Sequence, residues 1–148
     1  MPLNTVKGAL LSAALDYVQN WARDADLSDA WARVQEFSPA GRFQRAFGVP
    51  DTARTDHLAG PWGVAVDSRG SLFVADYAAG LVVKFARDGS VAWRCGGAHT
   101  PGTRFEGPAG VAVDSAGNIY VSETGSHHVQ KLGAATAAPR GLRRITGV

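Results

Sequence analysis

The stretch that decides the fold is residues 61–85, PWGVAVDSRGSLFVADYAAGLVVKF, because it returns 47 residues later, at 108–132, as PAGVAVDSAGNIYVSETGSHHVQKL. Self-similarity at such a period marks a solenoid, a propeller or an array. Within the first copy, 63–67, 71–75 and 81–85 are short β-branched or aromatic runs bounded by Gly, Asp and Ser, and 90–95 follows as a fourth after the turn pair Asp88-Gly89. Gly70 supplies a positive φ in the tight connection between the first two strands. Pro61 and Pro108 stand at the start of first strands, where a missing amide donor does least harm. Four strands per period, each beside its predecessor, describe the antiparallel blade of a β-propeller.

Working outward, residues 27–48 repeat the pattern in damaged form. LSDAWARVQEF (27–37) can be laid on VADYAAGLVVKF (74–85), with Asp29 on Asp76. PAGRFQRAFG (39–48) then lies on 87–96, pairing Phe43 with Val91, Phe47 with Cys95 and Gly48 with Gly96. The apolar repeat positions Val64/Val111, Val66/Val113, Val74/Val121, Val34/Val82/Val129 and Phe37/Phe85/Leu132 are expected to form the core between blades. Ahead of them, residues 1–26 read as an amphipathic helix, with Leu10, Leu11, Ala14, Leu15, Val18, Trp21 and Ala22 at three- and four-residue spacings. The rival reading, a secretory signal around GALLSAAL, is disfavoured by Asp16 and by the lack of a small-residue cleavage site. Residues 133–148 read as an irregular tail whose one strand candidate is LRRITGV. The expected fold is therefore all-β: about two and a half four-stranded blades (partial at 27–48, full at 61–96, three strands at 108–132) with an N-terminal helix. An open array leaves unpaired strand edges, which the helix or another subunit is expected to cover.

Composition narrows the function classes. No run approaches the roughly 18 apolar residues of a spanning helix, so the chain reads as soluble, cytoplasmic rather than secreted. The single cysteine, Cys95, excludes an internal disulfide framework and a multi-cysteine zinc site. Twelve Arg against three Lys fit a GC-rich genome, and a net charge of +2 gives little pull on a polyanion. No Ser-His-Asp order, Walker loop or dinucleotide fingerprint occurs, so no catalytic residue is expected. Asp67/Asp114 and Asp29/Asp76/Glu123 recur at fixed repeat positions, which favours acceptors for turn amides over acid–base pairs.

The patterns PxGVAVDxxGxLxVAD and PxGVAVDxxGNIYVSET, followed by HHVQKL and anticipated by RVQEF, resemble NHL repeats over residues 27–132. The resemblance implies a propeller, commonly six-bladed, that serves as a binding platform for proteins or RNA; related propellers include lyases and hydrolases. In an up-and-down meander the second-to-third and fourth-to-first connections emerge at the same end. His127 and His128 belong to the former, His57 and His99 to the latter. The expected function is a non-enzymatic interaction module, a segment or protomer of a larger propeller, presenting Arg54, His57, Trp62, His99, Arg104, His127 and His128 to a protein partner. Copies of the chain completing a ring are a further expected partner. One alternative is a metal-dependent lyase or hydrolase, with zinc or calcium on His57, His99, His127 and His128; the default is no cofactor. The other is RNA binding through Arg54, Arg104, Arg140, Arg143 and Arg144.

Overall fold

A computed structural model describes residues 10–12, 33–48, 57–97, 104–133 and 142–145, and among them every regular element is a strand. These are β1 (Leu10–Ser12), β2 (Val34–Phe37), β3 (Phe43–Phe47), β4 (Pro61–Val66), β5 (Leu72–Asp76), β6 (Leu81–Phe85), β7 (Val91–Cys95), β8 (Pro108–Val113), β9 (Ile119–Glu123), β10 (His128–Leu132) and β11 (Leu142–Ile145). They form three antiparallel sheets in which sequence neighbours are space neighbours: β1-β2-β3, β4-β5-β6-β7 and β8-β9-β10-β11. The register repeats with the sequence. Val74 opposes Val83 and Leu72 opposes Phe85 in the second sheet, as Val121 opposes Gln130 and Ile119 opposes Leu132 in the third.

Tight turns follow from the Asp and Gly residues between strands. Asp67 Oδ1 accepts from the amides of Arg69 and Ser71, and Asp114 Oδ1 from those of Ala116 and Asn118. Gly70 and Gly117, at φ 82° and 83°, complete these turns in a conformation costly for other residues.

Two expectations are corrected. Leu10–Ser12 is a strand, not part of a helix: Leu10 opposes Phe37 and Ser12 opposes Gln35, the register of β5 on β6. Helical spacing is a local preference, whereas the second edge of β2 offers unpaired donors and acceptors to any extended segment. The rest of the expected helix, and Asp29, lie outside the described residues. The tail also holds a regular element, because Leu142–Ile145 pairs with β10 and fills the fourth-strand place of the third sheet.

The sheets stack face to face. Leu72, Val74, Leu81, Val83 and Phe85 of the second sheet pack on Val34 and Phe47 of the first. On the other side of the same strands, Ala65, Phe73, Val82 and Cys95 pack on Ile119, Val121 and Leu132 of the third. All five residues of β5 are consequently buried. Each interface also takes one plug from the connector between sheets, Leu58 in one and Phe105 in the other, and neither position was anticipated from the repeat. First strands β4 and β8 lie so close that a Cβ on Gly63 would stand 2.5 Å from the carbonyl oxygen of Ala109. Val129 departs from its expected core role. It is 39% exposed where its counterpart Val82 is fully buried, because among the described residues no sheet covers that side of β10.

Candidate binding face

The connectors that lead into first strands are fastened to the turns between second and third strands. Asp76, fully buried at the end of β5, accepts from the amides of Ala59, Gly60 and Ala79 at 2.8, 2.8 and 3.3 Å. Glu123 takes the same place in the third sheet, accepting from the Glu106 amide, the Ser126 hydroxyl and the Gln130 side-chain amide. Backbone bonds complete each clasp, from Tyr77 N–H to Gly60 and from Thr124 and Gly125 N–H to Gly107 and Glu106. These carboxylates satisfy amides that would otherwise be buried without acceptors, which makes them structural. They also bring the two classes of connection to one end of the molecule.

An aromatic pair stands on that end. Strand β4 carries a bulge at Trp62, since Pro61 opposes Asp76 and Gly63 opposes Ala75, leaving Trp62 without an opposite number. A bulge re-aims the side chain it carries. Trp62 is 54% exposed and stacks on Tyr77, itself 38% exposed, with ring centroids 4.4 Å apart and planes at 17°. The pair continues into the next connector. A Cβ on Gly107 would meet Tyr77 at 2.9 Å and the Thr124 hydroxyl at 2.7 Å, so glycine permits this approach. The third sheet has the same bulge but places Ala109 in it. Tyr77 escaped notice in the sequence because the repeat offers Thr124 there; an aromatic in the turn after a buried carboxylate was the available signal.

His127 is exposed and adopts φ 56°, the left-handed region that its counterpart Gly80 occupies at φ 65°. His128 opens β10 half-buried, its Nδ1 without a hydrogen-bond partner. The main-chain oxygen of His57 accepts from the Arg94 guanidinium. Arg104 extends into solvent, 4.0 Å from Glu106, while its main-chain oxygen accepts from Gln130. Arg54 and His99 lie outside the described residues. Among the described residues no three His, Cys, Asp or Glu side chains are grouped as metal ligands, so the divalent-metal reading finds no ligand set there. Cys95 is buried in the core.

The opposite end carries the tight turns. There the hydrogen bond from the Asn118 side chain, helped by the Asn118 amide, the Tyr120 hydroxyl and the Ala116 amide, holds the Asp114 carboxyl below its ordinary value against the opposing desolvation. The Ser90 hydroxyl and amide do the same for Asp88.

Comparison with known proteins agrees with this architecture. The family model for the NHL repeat matches residues 58–85 and 105–132. No curated protein matches the chain. Similar solved structures include a streptogramin B lyase (16% identity, TM-score 0.57, covering 78% of this chain and 34% of the lyase). A virginiamycin B lyase from Staphylococcus aureus is also similar (11% identity, TM-score 0.58, 99% and 44%). So is a protein of unknown function from Bacteroides caccae (14% identity, TM-score 0.53, 95% and 48%). The chain thus spans less than half the length of each, and at these identities the likeness concerns the fold alone. Matching repeats, matching register and matching clasps make residues 58–85 and 105–132 two NHL repeats.

Proposed function

We propose that the chain is a propeller segment that binds a peptide segment of a partner protein on its connector face, with Trp62 and Tyr77 as the anchor. The exposed stacked pair carries this reading. Stacked aromatics present a large, stiff surface at small entropic cost, and tryptophan and tyrosine are the residues that dominate interface energetics. The left-handed His127 supports it, because a non-glycine residue kept where the sister repeat has glycine retains backbone strain of the kind that clusters at binding sites. Arg104 adds a cation on the same connector as Gly107. The preferred peptide carries an aromatic or arginine side chain that extends the stack.

Selecting peptides from a displayed random library against the chain, then titrating the winners, tests the reading. Trp62→Ala is expected to weaken the selected peptides at least about tenfold, the loss of a typical aromatic anchor, with an unchanged melting temperature. Equal binding by Trp62→Ala, Tyr77→Ala and the unaltered chain would refute it. The enzymatic alternative rests on the fold resemblance to lyases and is tested by calorimetric titration with zinc and calcium.

A further inference from the structure

The outer faces of the first and third sheets carry the repeat positions that meet between sheets elsewhere in the molecule. In the second sheet, Ala65, Phe73, Ala75 and Val82 face the third sheet and are buried. Their counterparts Ala112, Tyr120, Ser122 and Val129 keep the same register on the far side of the third sheet, where each is exposed or half-exposed. Gly110 repeats the point for the backbone. Its counterpart Gly63 is glycine because the next first strand passes 2.5 Å from where a Cβ would be, whereas a Cβ on Gly110 meets only the Ser122 hydroxyl, at 2.6 Å. The third sheet thus retains the clearance for a following sheet that the described residues do not supply.

The first sheet carries the positions of the opposite side. Gln35 holds the register place of Gln130, which is buried on the side of the third sheet that packs against the second. Phe43 holds the place of Val91, which packs toward the preceding sheet, yet Phe43 is 57% exposed.

From this correspondence we infer that two copies of the chain associate head to tail, the outer face of the third sheet of each seating on the outer face of the first sheet of the other. The contact continues the stacking already present twice within one chain. Such heterologous contacts close into rings when the rotation allows, and propellers close with four to eight blades. With three sheets among the described residues, two copies supply six, a number within that range. The inference deepens the propeller-segment reading and fails separately from it, since Trp62→Ala addresses peptide binding and leaves the mass untouched.

Sedimentation velocity on the full chain at micromolar concentration is the test. The unaltered chain is expected at twice the chain mass. Val129→Arg and Phe43→Arg are each expected at the chain mass, because each spoils one half of both contacts. An equimolar mixture of the two variants is expected to recover a two-chain species, since one contact in each mixed pair remains intact. A monomeric unaltered chain overturns the inference. So does a Phe43→Arg variant that stays dimeric, which would mean that third sheets meet face to face. Unchanged thermal melts establish that the variants fold, and Ala112→Arg on the same face replaces Val129→Arg if that variant does not.

Discussion

The second and third sheets share a sequence pattern, a register and a clasp, yet among the described residues one is covered on both faces and the other on one. Where both faces are covered, the residues are Phe73, Ala75 and Val82; where one face is open, the same places read Tyr120, Ser122 and Val129. Two of the three have acquired a hydroxyl while retaining their size and β propensity. The inward positions are held more tightly, with Val74 and Val121 both fully buried. The comparison separates residues that make a sheet from residues that respond to what lies beside it.

The largest effect expected from breaking the comparison concerns the paired glycines. Gly63→Ala drives a methyl into the backbone of Ala109 and should cost about 3 kcal/mol, the upper end of ordinary overpacking. Gly110→Ala displaces only a hydroxyl that can rotate, so urea midpoints should move far less. Next come the paired valines. Val82→Ala should cost about 2 kcal/mol by emptying a buried site, while Val129→Ala should leave monomer stability within about 0.5 kcal/mol. Equal losses in the dissociated chain would mean that Val129 is already covered within one chain.

The turn residues give a smaller effect of opposite sign. His127→Gly should relieve about 1 kcal/mol of left-handed strain and raise the melting temperature by a few degrees. If that variant also binds the selected peptides less well, strain and function coincide. The smallest effect is on acid stability. Asp114, held below its ordinary value when folded, contributes stability that is present above the unfolded carboxylate pKa and lost as pH falls through the folded value. Asp114→Asn should therefore flatten the stability profile below about pH 4 and leave it parallel above.

The repeat made the strands, their register and the connector face legible, because two copies of one pattern reveal which places alternate and which turn. Asp67 and Asp114 were readable as turn acceptors for the same reason. Segments with a single copy were not. Leu10–Ser12 has helical spacing and becomes a strand because β2 has an edge to pair, a fact about its neighbour and not about itself. Residues 142–145, within the tail's one strand candidate, take the fourth-strand place because β10 likewise has an edge to pair. Leu58 and Phe105 give no such signal, because they precede the motif's proline, in connectors where loops are expected to be polar. Trp62 announced itself by replacing Ala109, but its stacking partner Tyr77 did not, since the bulge that turns one ring toward the other is a property of the folded edge.

The clasps at Asp76 and Glu123 bear on how such a chain can be cut and lengthened. Each carboxylate holds the connector that enters its own sheet, and each connector delivers the plug that seats that sheet on its predecessor. The transferable piece is accordingly a lead-in with three strands, the same 58–85 and 105–132 that the repeat model delimits. A recombination joint placed between a fourth strand and the next lead-in carries plug, clasp and sheet together. A joint at Pro61 or Pro108 would graft a sheet without its fastening.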